Sequence, residues 1–128
     1  MLGISQNAFG INVIVNSSVT VHTISRSELW RVYAMRTTVW PDKQPIVVYV
    51  LSTKSPTNQQ FCKEVMKIFP YQLERIWNKL TFSGMGVAPI VVSSEQKMLE
   101  AVAKTPGAIG YVQGSGAMKN VNTIKVEG

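Results

Sequence analysis

The chain has 128 residues, 45% of them hydrophobic, and 13 Lys+Arg stand against 7 Asp+Glu for a formal charge of +6. That length fits one ordinary domain, and the apolar fraction supports a real core, which excludes intrinsic disorder as the general state. One cysteine, Cys62, and one histidine, His22, exclude an intramolecular disulfide, a multi-cysteine zinc site and a His-rich metal centre, so a binding role gains over enzyme chemistry.

The charges are unevenly placed. Residues 1–25 carry no Lys, Arg, Asp or Glu, and neither do 81–94 or 105–118. This pattern reads as buried strands and loops between helices that carry the solvent face. The uncharged start has no basic leader region and its longest apolar run, Ile11–Val15, is broken by Asn12, so it does not read as a signal peptide. No apolar run approaches the roughly 20 residues needed to span a membrane.

In chain order, Ile11–Val15 is a short β-branched run closed by Asn16-Ser17-Ser18, a buried strand and its loop. Ser25 to Glu28 matches a capping box, with Ile24 and Leu29 as its hydrophobic staple, and opens a helix carrying Leu29, Val32 and Tyr33 on one stripe. Trp40-Pro41-Asp42 is a turn. Ile46–Leu51 is apolar without alternation, as in a strand covered on both faces. Ser55-Pro56-Thr57 starts the next helix, serine at the cap and proline where a missing N–H costs nothing. Its apolar stripe is Phe61, Cys62, Val65, Met66 and Phe69. Pro70 restarts the chain into a helix marked by Leu73, Ile76, Trp77 and Leu80, and a glycine turn follows at Gly84 and Gly86.

Val87–Val92 is a strand with Pro89 demoting its middle. Ser93 or Ser94 caps a helix that turns Met98, Leu99, Val102 and Ala103 inward. Ala108–Val112 is a strand, and Val121–Val126 is an alternating edge strand. No repeat or linker interrupts the order β-α-β-α-α-β-α-β-β. It predicts an α/β fold over residues 1–128: a single three-layer-like domain with a mainly parallel or mixed sheet flanked by helices.

Three segments are candidate sites. Ser52 to Thr57 leaves a buried strand and opens a helix, and ligands of open α/β sheets sit beyond the carboxyl ends of strands. The Ser55 and Thr57 hydroxyls, the Thr57 and Asn58 amides and the Lys54 ammonium could meet an anion there, although a serine that simply caps its helix is the commoner arrangement. The loop of Asn16, Ser17 and Ser18 could supply donors to the same cleft, or be an ordinary turn. Gly107 suits a left-handed helix stop, while Gly110 inside a strand signals either tight packing or a ligand approach.

Other features favour simpler explanations. Cys62 lies on an apolar stripe and reads as a buried, inert thiol. His22 has no acid or nucleophile near it in sequence, and no Walker-type loop is present. Lys63 with Lys67, and Arg75 with Lys79, read as a solvated face rather than a nucleic-acid surface, because Glu64 and Glu74 interrupt it.

Taken in order, the segments resemble the phosphate-type periplasmic solute-binding proteins of ABC transporters. The matching pieces are Ile14-Val15-Asn16, Ile24 to Leu29, Trp40-Pro41-Asp42, Pro45-Ile46-Val47, Ser55-Pro56-Thr57 with Phe61, Trp77 with Phe82-Ser83-Gly84, and Glu95 to Met98 leading into Thr105–Val112. They cover about residues 11–112, and the Pro106-Gly107-Ala108-Ile109-Gly110-Tyr111 run is the most specific.

The resemblance implies a periplasmic-binding-protein-like fold, an extracytoplasmic location and polar loops at helix N-termini holding phosphate or another oxyanion. No cofactor or metal is expected, and no acid, base and nucleophile can be assembled from these residues for catalysis. Two positions depart from the family pattern: Pro56 stands where a glycine would donate its amide, and Leu51 where an arginine would grip the oxyanion. The chain resembles little more than one lobe of a protein that clamps its ligand between two, so a homodimer and a transporter or other protein partner remain open. Nucleic acid is not expected. The alternative is a non-catalytic interaction or scaffold module that kept the fold and lost the ligand.

Overall fold

The computed structural model describes residues 10–115 and 117–128. Six strands form one sheet: β1 (Ile11–Asn16), β2 (Thr23–Ser25), β3 (Val47–Leu51), β4 (Ile90–Val92), β5 (Ala108–Gln113) and β6 (Val121–Glu127). The helices are α1 (Arg26–Tyr33), α2 (Pro56–Gln60), α3 (Pro70–Ser83) and α4 (Glu95–Lys104), and a π-helical segment, Phe61–Met66, continues α2. The α/β expectation therefore holds, with a mixed sheet.

The strand order is β2-β6-β1-β5-β3-β4. β1 pairs antiparallel with both β5 and β6, while β2 with β6, β3 with β5 and β3 with β4 are parallel. β1 thus runs against the other five strands from the middle of the sheet. Every residue of β1 is buried, as an apolar run between two helical layers should be.

Helices cover both faces. Met98 and Val102 of α4 are fully buried against Gly110, where an added Cβ would lie 3.1 Å from Val102 Cγ2 and closer than 3.0 Å to Met98 Sδ. The glycine is there because helix and sheet approach too closely for a side chain, which decides between the two readings of Gly110 in favour of packing. On the opposite face Tyr111 stacks on Phe61 with ring centroids 3.9 Å apart, and Tyr33 of α1 tilts against Phe61 at 5.1 Å. Trp77 ties α3 to α1 by donating its indole N–H to the Tyr33 carbonyl at 2.7 Å.

Local sequence chemistry explains the helix starts. Ser25, Ser55 and Ser94 accept backbone N–H groups at the N-termini of α1, α2 and α4, which satisfies donors that would otherwise be orphaned. Glu28 lies 3.8 Å from Arg31 instead of reaching back to the Ser25 amide, so only half of the capping box forms.

Several expectations are corrected. Val121–Glu127 is an interior strand between β1 and β2; the edges are β2, which the sequence reading missed, and β4. Pairing of the Val87–Val92 run begins only at Ile90, because Pro89 has no N–H to give to a ladder. The α2 stripe stops before Phe69, which is 66% exposed, since the π-helical turn closes at Lys67 in the left-handed region. Gly107 (φ +79°) does not stop α4, which ends at Lys104. It shapes the following turn, in which Ala108 N–H bonds the Thr105 carbonyl at 3.1 Å.

Candidate functional site

Because β3, β4 and β5 are parallel, their carboxyl ends share one rim of the sheet. Three connections meet there: Ser52–Ser55 after β3, Ser93-Ser94 after β4 and the chain leaving β5 at Gln113. This is where an open α/β sheet presents its ligand-facing loops. Ser52 holds the first loop shut, accepting the Lys54 amide at Oγ and the Ser55 amide at its carbonyl.

The helix N-terminus is already satisfied. Ser55 Oγ accepts from the amides of Thr57 at 3.1 Å and Asn58 at 3.3 Å, and Pro56 has none to offer. The two amides named as candidate anion donors therefore bond to the capping serine. What Ser55 retains is its own hydroxyl proton, which no acceptor among the described residues takes. Lys54 is exposed and pairs with no carboxylate among the described residues.

Thr57 and Asn58 are buried, and both side chains point into the protein. Asn58 donates Nδ2–H to the Tyr111 hydroxyl at 2.7 Å, which also accepts the Leu51 amide at 2.9 Å. Burial pushes the Tyr111 hydroxyl up to about 12, although both of these bonds pull the other way, so it remains a neutral phenol. Asn58 is thus a buried strut between the helix start and β5. Burial likewise raises Cys62 to about 11, and its thiol leans on Asn58 Oδ1 at 3.9 Å, in keeping with an inert cysteine.

Thr57 donates its hydroxyl proton to Glu95 Oε2 at 2.6 Å, while Glu95 Oε1 accepts the Gln113 amide at 2.7 Å. Both bonds are as short as charge-assisted bonds usually are. Glu95 is the first residue of α4, where a carboxylate also gains from the helix dipole. Neither Glu95 nor Gln113 stood out in the sequence as a site residue. Gln113 ends a strand at this rim, and Glu95 entered only as the start of a capped helix and of one segment of the family resemblance.

Asn16, Ser17 and Ser18 lie elsewhere. Since β1 runs against β3 and β5, its carboxyl end meets their starting ends. Asn16 Nδ2 donates to the Val102 and Ala103 carbonyls at 2.8 and 3.1 Å, closing the C-terminus of α4, and Oδ1 accepts the Ser18 amide. Ser17 donates its amide to Asn120, and Ser18 Oγ accepts from the Gly107 amide and from Gln44 Nε2. The structure brings Lys54, Ser55, Thr57 and Asn58 together but holds Asn16, Ser17 and Ser18 at the opposite end of the sheet, where they cannot share a cleft with the first four.

Among the described residues no group of three or more His, Cys, Asp or Glu could hold a metal ion, and no helix is long and apolar enough to cross a membrane.

Comparison with known proteins places this geometry in context. The family described as PBP superfamily domain matches residues 7–126. No curated protein sequence matches the chain. Among solved structures, an ABC-type phosphate transport receptor from Vibrio cholerae superposes with a TM-score of 0.69 at 22% identity, covering 91% of this chain and 46% of the receptor. A Clostridium perfringens protein solved with bound phosphate gives 0.72 at 21%, covering 91% and 44%. PstS from Borrelia burgdorferi gives 0.63 at 18%, covering 91% and 47%. These likenesses show the fold, and the chain spans less than half the length of each of these proteins.

Proposed function

The chain belongs to the PBP superfamily, and from that premise we propose that it is a solute-binding module taking a small inorganic oxyanion, phosphate or sulfate, at the carboxyl rim of its sheet. The observation that carries this reading is the family match over nearly the whole chain, in a fold shared with a protein solved with phosphate bound. The rim supports it chemically: the Lys54 ammonium, the Ser55 hydroxyl and the Thr57 hydroxyl are donors within one short loop and helix start.

The donor set is sparse. Leu51 brings no guanidinium, Pro56 brings no amide, and a lysine offers a point charge where an arginine would offer a bidentate grip. A binder of this kind holds its anion weakly unless a second surface completes the shell. Such a surface would come from another copy of this chain or from a partner, and a transporter is the partner class that the neighbours suggest. The module acts by binding and not by catalysis, in an extracytoplasmic compartment.

Titration calorimetry with phosphate and sulfate tests the reading, beside thermal melts at rising anion concentration. A ligand bound only by the folded state stabilises it by about 2.7 kcal/mol at a hundredfold excess over its Kd. Saturable heat that weakens in Ser55→Ala and Thr57→Ala is the expected result. No heat and no melting shift at millimolar anion would leave a fold that has lost its ligand.

A further inference from the structure

We propose that Glu95 is a built-in competitor for the anion site: its carboxylate bridges the Thr57 hydroxyl and the Gln113 amide, so an oxyanion binds only as fast and as tightly as Glu95 gives up those donors. This rests on the oxyanion-binding reading above and concerns the regulation of that same site.

Ionised, a carboxylate is a negative group that accepts hydrogen bonds through two oxygens, as sulfate and the unprotonated oxygens of phosphate do. Glu95 engages one hydroxyl from the start of α2 and one amide from the end of β5, at 2.6 and 2.7 Å. These are the kinds of donor, at the rim, that an oxyanion would use. The carboxylate is held by more than chance proximity: Ser94 caps α4 immediately before it, which fixes the backbone, and the helix N-terminus favours its charge.

Two consequences follow. While Glu95 is in place, Thr57 is engaged and the bridge itself sets a negative charge at the rim, so an incoming anion meets repulsion as well as an occupied donor. When Glu95 swings out, the Thr57 hydroxyl and the Gln113 amide become free together, which links the start of α2, the start of α4 and the end of β5 to one event. The exposed Lys54 could then pair with the incoming anion.

The test is Glu95→Gln, which removes the charge and keeps the size, measured by calorimetry with inorganic phosphate and with sulfate. The variant is expected to bind at least ~10-fold more tightly than the unmodified chain, since it abolishes a like charge close to the ligand. Adding Thr57→Val to Glu95→Gln should remove the part of the gain that comes from the released hydroxyl, leaving the part that comes from the lost charge. Glu100→Gln is the control: it removes a carboxylate from the same helix that bonds Gln96 and Lys97 and not Thr57, and should leave affinity unchanged.

Equal or weaker binding by Glu95→Gln, in a chain whose unmodified form does bind, overturns the competitor while sparing the site. An equal gain from Glu100→Gln also overturns it, since the effect is then net charge. Binding by neither form removes the oxyanion reading and the competitor with it. If Glu95→Gln does not fold, Glu95→Ala, which removes the charge and frees both donors, carries the same expectation.

Discussion

Replacing Gly110 by alanine tests the account of how α4 lies on the sheet. The new Cβ would stand 3.1 Å from Val102 Cγ2, 3.3 Å from Met98 Cγ and inside 3.0 Å of Met98 Sδ, and both side chains are fully buried. Alanine gains about 0.5–1 kcal/mol over glycine in a strand through lower unfolded-state entropy. Forcing an extra methyl into a packed layer costs about 1–3 kcal/mol. The Met98 thioether can bend, but the Val102 methyl cannot move without shifting α4, so the clash wins and a net loss of about 1–2 kcal/mol is expected. For a chain of this length that lowers Tm by roughly 3–8 °C.

Guanidinium unfolding followed by fluorescence of the buried Trp40 and Trp77 reads the change directly. A double mutant sharpens the test. Met98→Ala alone should cost about 2–5 kcal/mol by leaving a cavity. Combined with Gly110→Ala it should cost less than the sum, because the new methyl occupies part of the space vacated by the thioether. A neutral or stabilising Gly110→Ala, or strict additivity in the double mutant, would refute the close-approach argument.

Two other outcomes can be checked. Asn16→Asp should destabilise more than Asn16→Ala in denaturant titrations: alanine deprives the Val102 and Ala103 carbonyls of their donor and the Ser18 amide of its acceptor, about 1–3 kcal/mol, whereas aspartate keeps the Ser18 bond but faces the two carbonyls with a negative charge at a helix C-terminus, the larger penalty; the reverse order would show that Asn16 is not a cap. Stability should also fall in alkali. Cys62 and Tyr111 are raised by burial to about 11 and about 12 from the ordinary 9.0 and 10.0, so above pH 9 the unfolded chain releases protons that the native state keeps. Unfolding free energy should be level below about pH 9 and decline from there towards pH 12, and a flat profile between pH 8 and 11 would count against the burial of both groups.

Much of the fold was legible in the sequence because local chemistry specifies it. The serine caps, the proline at the first position of α2, the β-branched run of β1 and the uninterrupted apolar run of β3 each name their element through a nearby physical cause. The family resemblance rested on the same short-range pieces, above all the run from Pro106 to Tyr111. What stayed hidden was direction and neighbourhood. Nothing local to Ile11–Asn16 says that it runs against the rest of the sheet, yet that single fact sends the Asn16-Ser17-Ser18 loop to the far end and turns Asn16 from a candidate ligand into a cap for α4. An alternating run such as Val121–Glu127 looks like an edge until its neighbours are known.

The candidate site divides the same way. That Lys54, Ser55, Thr57 and Asn58 gather at a helix start after a buried strand could be read locally, because capping is a matter of a few adjacent residues. What those groups do depends on the folded chain: Ser55 consumes the free amides, Asn58 bonds Tyr111 53 positions away, and Thr57 meets Glu95, 38 positions away. The physical reason is that a parallel sheet assembles one rim from strand ends far apart in sequence, so the partners that set the chemistry of the rim are fixed by strand direction and register, which no window of residues contains.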